Sequence, residues 1–130
     1  MANVLLATDG KPHSEKAVKY AFEYAQSHKV NLFIVFVVSP KAEDDKDKLI
    51  KNGMSVLDDL KKRGTQQGIN ITTLLEAGNP YEAILNASER IKAEAIIVGT
   101  SGKTAIDRVL IGSVSEYIVR NSKCTVIVVK

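Results

Sequence analysis

The sequence has little cysteine and no long apolar run, and both absences narrow the class of protein. Cys124 is the only cysteine in the 130 residues, so no internal disulfide can form. No apolar segment approaches the roughly 18 residues of a membrane-spanning helix, and the first residues lack the basic and apolar regions of a signal peptide. We therefore expect a cytoplasmic protein that does not cross a membrane.

Charge of one sign is not in large excess. The sequence has 18 lysines and arginines against 15 aspartates and glutamates, which leaves a net charge of +3. In the densest lysine region, residues 41–63, basic side chains are interleaved with acidic ones. This mixture is typical of a solvated helix face rather than of a nucleic-acid contact, so we predict no nucleic-acid binding.

Several common phosphate-binding and metal-binding motifs are also absent. Gly102-Lys103-Thr104 resembles the end of a P-loop, but Ile97 stands where that motif needs its first glycine. Gly10 stands alone after the first predicted strand, without the rest of a Gly-x-Gly-x-x-Gly motif. The two histidines, His13 and His28, do not form a metal-ligand spacing. We therefore predict neither a P-loop, nor a dinucleotide fingerprint, nor a metal site made by side chains.

What the sequence does contain is a regular alternation of apolar runs and amphipathic segments. Strands are predicted at residues 4–7, 32–38, 69–75, 95–98 and 125–129, with helices between them. The second helix is predicted to end at Gly64 and Gly68, and Asn79 to cap the third. This alternation predicts one α/β domain over residues 1–130, with a five-stranded parallel sheet covered by helices on both faces.

The character of the third and fifth runs predicts the strand order. Residues 69–75 alternate between apolar and polar side chains, as an edge strand does, which favours the order 3-2-1-4-5. The last strand, Thr125 to Val129, then forms the other edge although it is apolar on both faces. Such an edge is usually paired or covered. We predict a homodimer through this strand, with covering by the chain itself as the alternative.

The stretch from Gly99 to Ser113 carries the clearest binding signal. Gly99-Thr-Ser-Gly102 is followed by nine residues and then Gly112-Ser113, between the fourth strand and the last helix. Glycines let backbone N–H groups approach a phosphate, and the start of a helix favours an anion. The alternative is a plain structural turn in which Ser113 and Glu116 form a capping box. With the order 3-2-1-4-5, Asp9 faces this loop across one crevice.

The pattern Gly, two residues, Gly, nine residues, Gly-Ser resembles the nucleotide-binding signature of the universal stress protein family, specifically of its ATP-binding branch. The resemblance extends over nearly the whole chain. It implies a Rossmann-like fold of the adenine nucleotide alpha hydrolase-like type, a homodimer, and ATP, with or without Mg²⁺, as the ligand. The residues that it implies at the ATP site are Ala7, Thr8, Asp9, Val37, Val98, Gly99, Thr100, Gly102, Lys103, Gly112, Ser113 and Val114.

The resemblance also implies roles at this site. Asp9 would contact the ribose hydroxyls or the adenine amine, the main chain of Val37 would read the base edge, and the glycine loop would hold the phosphates. Each has a structural alternative, since Asp9 and Ser113 could cap local turns and Lys103 could be solvated. Phe36 and Thr125 depart from the residues common in the family, His and Pro, and this leaves the base preference open.

The implied function is a stress-response switch in which ATP orders the glycine loop, biases the dimer and so signals to a partner. A slow ATPase or phosphotransfer enzyme is one alternative, and a nucleotide-free dimeric interaction module is another. A hydrolase needs a base that orients water. His13, near the predicted crevice, is the one candidate, and we assign no catalytic residue and expect slow ATP turnover at most.

Overall fold

In residues 1–100 and 112–130, which the computed structural model describes, a parallel five-stranded sheet forms the centre of the molecule. The elements, in chain order, are β1 (Asn3–Ala7), a 3₁₀ turn (Pro12–Ser14), α1 (Glu15–His28), β2 (Asn31–Val38), α2 (Lys46–Gln66), β3 (Ile71–Ala77), α3 (Pro80–Arg90), β4 (Ala95–Gly99), α4 (Ser113–Asn121) and β5 (Thr125–Val129). The strand order is β3-β2-β1-β4-β5. The predicted parallel sheet and its order are confirmed.

Helices cover both faces of the sheet. Successive side chains of β1 point to opposite faces, so Leu6 packs with α1 and α2 whereas Leu5 packs with α3 and α4. The first cluster includes Phe22 and Leu57, and the second includes Ile118, which is fully buried. Because both faces are buried, the central strands can be apolar throughout, as the sequence pattern predicted.

The path of the chain opens a crevice between β1 and β4. These strands are neighbours in the sheet, yet the chain leaves β1 toward α1 on one face and leaves β4 toward α4 on the other. Among residues 1–100 and 112–130, no crossover helix therefore fills the space above their carboxyl ends, which is the usual ligand position in doubly wound sheets. None of the helices within the described ranges is long and apolar enough to cross a membrane.

The end of α2 and the start of β3 differ from the prediction. Gly64 lies within α2, where an added Cβ would be 1.9 Å from Ile71 Cδ1, so its missing side chain lets the helix pack on β3. The Ile69 N–H donates to the Gly64 carbonyl at 3.1 Å and completes the end of the helix. Sheet pairing therefore begins at Ile71 and runs to residue 77, instead of 69–75. Gly68, with φ +80°, forms the left-handed turn between them.

The predicted helix starts are partly confirmed. Asn79 caps α3, and its Oδ1 accepts the Tyr81 N–H at 2.9 Å. The capping box proposed for the last helix is wrong. Gly112 is the N-cap and Ser113 is already the first helical residue, without a side-chain cap. The Glu116 carboxylate pairs with Arg120 at 3.0 Å instead of reaching back to the start of the helix. Because the Ser113 hydroxyl makes no capping bond, it is left for other partners.

Arg63 of α2 makes side-chain contacts with α1. Its guanidinium donates to the Glu15 carboxylate at the start of α1 and lies 5.8 Å from the centre of the Phe22 ring. The hydrogen bond to Glu15 raises the pKa of Arg63 above its ordinary value, although partial burial opposes the shift. The side chain therefore stays charged over the whole physiological pH range.

Candidate functional site

A cleft of about 510 Å³ opens at the carboxyl ends of β1, β2 and β4. Its volume lies within the usual range of small-molecule sites. Every predicted site residue within the described ranges lines it, namely Ala7, Thr8, Asp9, Val37, Val98, Gly99, Thr100, Gly112, Ser113 and Val114. Gly102 and Lys103 lie outside the described residues. The fold thus brings together three segments that are far apart in the sequence.

Buried hydroxyl groups hold the turn that follows β1. The Thr8 N–H donates to the Val35 carbonyl at 3.1 Å, and Thr8 Oγ1 accepts the Gly10 N–H at 3.1 Å. Ser14 Oγ lies 3.2 Å from Thr8 Oγ1 and donates to the Lys11 carbonyl at 2.7 Å. This network fixes the backbone on either side of Asp9, so the direction of the Asp9 side chain is determined by the fold.

The Asp9 carboxylate stands at the mouth of the cleft and already has protein partners. Its Oδ1 accepts the Lys11 N–H at 2.9 Å, which is the turn-stabilising role considered from the sequence. Its Oδ2 lies 2.9 Å from His13 Nε2. Each carboxylate oxygen has a second lone pair, and the Asp9 side chain is 46% exposed. The residue can therefore accept further hydrogen bonds from a ligand while it stabilises the turn.

The main chain of Val37 faces the cleft because β2 is longer than β1. Successive residues of a strand direct their N–H and C=O groups to alternate sides. The Val35 carbonyl bonds to Thr8 on the β1 side, and the Val38 carbonyl bonds to Gly78 on the β3 side. Val37 therefore directs its backbone groups to the β1 side, beyond the end of that strand. A donor and an acceptor next to each other suit the edge of a base.

The opposite wall of the cleft joins β4 to the start of α4. Ser115, which is buried, donates its hydroxyl to the Gly99 carbonyl at 2.5 Å, and the Thr100 N–H donates to the Val129 carbonyl at 3.1 Å. An added Cβ at Gly99 would lie 3.5 Å from Ala17 Cβ, an ordinary contact. Within the described residues, then, nothing sterically requires a glycine at position 99.

The first turn of α4 supplies an electropositive part of the cleft. Residues 112–115 line it, and the first N–H groups of a helix have no intrahelical acceptor. Together with the helix dipole, these N–H groups favour an anion. Ser113 Oγ accepts a hydrogen bond from the Tyr81 hydroxyl at 3.2 Å, so α3 also contacts this end of the site.

Sequence reasoning missed several lining residues. Lys11, Val35, Pro80, Ile84 and Ser115 line the cleft but were not predicted there. Phe36, noted only as a departure from the family, and His13, considered only as a candidate base, also line it. Pro80 and Ile84 could have been anticipated, because the crossover from β3 at one edge to β4 must pass over β2 and β1. For Lys11 and Ser115 the sequence carries no comparable signal.

The donor set fits an adenine nucleotide better than a metal ion. A base can pack among the apolar side chains of Val35, Val37, Ile84 and Val98. Asp9 can accept hydrogen bonds from hydroxyl groups, and the N–H groups at the start of α4 can donate hydrogen bonds to phosphate. Among the described residues, no three His, Cys, Asp or Glu side chains cluster as a metal site would require. A Mg²⁺ ion brought by the nucleotide would keep phosphate and water as ligands.

Comparison with known proteins agrees with this geometry. The family model for the universal stress protein family matches residues 1–130. A universal stress protein of Methanocaldococcus jannaschii is 34% identical over 98% of this chain and 81% of its own length. A solved universal stress protein in complex with cAMP is 26% identical, with a TM-score of 0.80 over 99% of this chain and 97% of that one.

A second solved structure supports the fold alone. The universal stress protein of Archaeoglobus fulgidus in complex with dAMP has a TM-score of 0.81 over 100% of this chain and 98% of that chain, at 20% identity.

Proposed function

The chain belongs to the universal stress protein family, and from this premise we propose that it is a small cytoplasmic ATP-binding protein that acts as a nucleotide-dependent switch in a stress response. The observation that carries the proposal is the cleft itself. It places a carboxylate, a free main-chain donor and acceptor, and a helix N-terminus around a volume of about 510 Å³. The single cysteine suits a reducing compartment.

The nucleoside end of the ligand lies between β1 and β2 in this proposal. The adenine ring packs on Val35, Val98 and Ile84, and the Val37 backbone groups bond to its edge. The Asp9 carboxylate accepts hydrogen bonds from the ribose hydroxyls through the lone pairs that do not bond to Lys11 or His13. A solved relative in complex with cAMP, 26% identical, supports an adenine nucleotide as the ligand.

The phosphate end lies at the start of α4. The N–H groups of Ser113 and Val114 and the Ser113 hydroxyl contact phosphate oxygens, and the glycine loop with Gly102 and Lys103 completes the cradle. Because the loop contacts are made only while ATP is bound, ATP stabilises one arrangement of the loop, and the state of the loop reports occupancy to a partner.

A homodimer is part of the same proposal. β5 pairs with β4 on one side only, and no strand in the described ranges pairs with its outer edge. Its side chains from residue 126 to 129 are partly exposed although all are valine or isoleucine. Pairing of two such edges would bury this apolar surface.

Titration calorimetry with ATP, on protein freed of any co-purified nucleotide by unfolding and refolding, tests the proposal. We expect ATP to bind the parent protein, and Gly102→Val to abolish binding with an unchanged thermal unfolding curve, because only the close backbone approach is lost. Equal ATP binding by this variant would show that the glycine loop does not hold phosphate. Phosphate release faster than that of Gly102→Val would instead favour a slow ATPase.

A further inference from the structure

A tyrosine outside the glycine pattern contacts Ser113, a residue of the proposed phosphate site. Tyr81 lies in the first turn of α3 and donates its hydroxyl to Ser113 Oγ at 3.2 Å. The two residues are 32 positions apart in the sequence. Ser113 begins α4 and lines the cleft, whereas Pro80 and Ile84, on either side of Tyr81 in α3, line it from the other direction. The contact therefore bridges two helices at the phosphate end of the site.

Local structure holds the Tyr81 ring in place. Its backbone N–H donates to Asn79 Oδ1 at 2.9 Å, and Pro80 fixes the backbone angle at the start of α3. The ring also meets Tyr117 edge-on, with centroids 5.2 Å apart and planes at 60°, a favourable geometry for two aromatic rings. Tyr117 lies one helical turn after Ser113, so Tyr81 contacts the same face of α4 at two points.

The direction of the hydrogen bond matters for anion binding. A serine hydroxyl has one proton to donate and two lone pairs. Because Tyr81 donates to Ser113, one lone pair is occupied and the serine proton stays available for an acceptor in the cleft. Neither a capping bond nor the Glu116 carboxylate, which pairs with Arg120 at 3.0 Å, competes for that hydroxyl.

We propose that Tyr81 is a positioning residue for the phosphate end of the site, which acts by orienting the Ser113 hydroxyl toward a bound phosphate oxygen. The inference rests on the proposed function and deepens it, since it assigns part of the phosphate affinity to α3. It requires that loss of the Tyr81 hydroxyl lowers the affinity for ligands that carry phosphate and leaves the affinity for the unphosphorylated nucleoside unchanged.

Titration calorimetry with two ligands, ATP and adenosine, tests this requirement. The variants are Tyr81→Phe, Ser113→Ala and the double variant, and Tyr20→Phe is the matched control. Tyr20 is a partly exposed tyrosine on α1, on the opposite face of the sheet, and its change removes the same atom. Because Tyr81→Phe keeps the ring and its contact with Tyr117, we expect it to fold, and thermal unfolding verifies this.

The expected result is a threefold to tenfold loss of ATP affinity in Tyr81→Phe, as for one hydrogen bond, with adenosine affinity unchanged. In the Ser113→Ala background the same substitution should have no further effect, because its partner is gone. Parent-like ATP affinity of Tyr81→Phe, an equal loss for adenosine, or a loss that persists without Ser113 would each overturn the inference. Failure of the parent protein to bind either ligand would overturn the proposed function and this inference with it.

Discussion

The imidazole of His13 lies 2.9 Å from the Asp9 carboxylate, four residues earlier in the chain, and both line the cleft. The same carboxylate accepts the Lys11 N–H through its other oxygen. Asp9 thus stabilises the turn after β1 and is also the proposed acceptor for the nucleoside. These two roles can be separated by a substitution that keeps the turn and removes the charge.

Asp9→Asn is expected to weaken the binding of both adenosine and ATP by about tenfold or more, because hydrogen bonds to a charged acceptor contribute about 1.5–3 kcal/mol. Its remaining amide oxygen can still accept the Lys11 N–H, so the thermal unfolding temperature should change little. Titration calorimetry measures the affinities, and Asp58→Asn, an exposed change on α2, is the control. Parent-like adenosine binding would exclude Asp9 as a nucleoside contact.

Ser115→Ala is expected to destabilise the protein by about 1 kcal/mol, since the partly buried Gly99 carbonyl loses its 2.5 Å hydrogen bond to α4. For a domain of this size, the unfolding midpoint should fall by roughly 2–5 °C. Differential scanning calorimetry measures the midpoint, and Ser55→Ala on the exposed face of α2 is the matched control. If both variants unfold at the same temperature, the bond contributes nothing measurable to stability.

Two glycines with positive φ should differ in their tolerance of alanine. Gly68, at φ +80°, has open space around it, so Gly68→Ala should cost only the backbone strain of about 1–2 kcal/mol. Gly10, at φ +72°, would in addition place its Cβ 2.8 Å from Val56 Cγ2. Urea unfolding should therefore show a larger decrease in the free energy of unfolding for Gly10→Ala than for Gly68→Ala.

A Val56→Ala background provides the control for this comparison. In that background, the decrease in the free energy of unfolding caused by Gly10→Ala should become similar to that caused by Gly68→Ala, because the crowding methyl groups are gone. An unchanged difference would mean that crowding by Val56 is not its cause.

The proposed dimer can be tested at single backbone groups of β5. The Val129 carbonyl accepts the Thr100 N–H, so by alternation the backbone groups of Val128 face the outer edge and those of Ile127 face β4. Val128→Pro should therefore convert a dimer to a monomer of 14.2 kDa while the fold is kept. Light scattering after size exclusion measures the mass.

Ile127→Pro is the matched control, because it removes a hydrogen bond inside the sheet and should lower the unfolding temperature more than Val128→Pro does. A parent protein that is monomeric at high concentration would contradict the dimer proposal directly. A dimeric, well-folded Val128→Pro would show that another surface forms the dimer.

Patterns that depend on near neighbours could be predicted from the sequence. The period of apolar residues and the all-apolar strands predicted a parallel α/β sheet, because both faces of such strands must be buried. The alternation of apolar and polar side chains in residues 69–75 favoured the strand order. The boundary between α2 and β3 could not be found this way. Gly64 has the chemistry of a helix stop, but its close packing against the Ile71 side chain favours a glycine within the helix, and only the folded chain brings the two together.

The sequence by itself determined the family, the sheet and most of the residues around the cleft, since short glycine and capping patterns act within a few residues of one another. ATP as the ligand, the dimer and the cellular compartment remain predictions. Tertiary structure alone decided that Ser113 accepts a hydrogen bond from Tyr81 instead of capping α4, and that the Ser115 hydroxyl bonds to the Gly99 carbonyl. Each of these contacts joins groups from different elements, and their distances depend on how helices and strands of unequal length pack together.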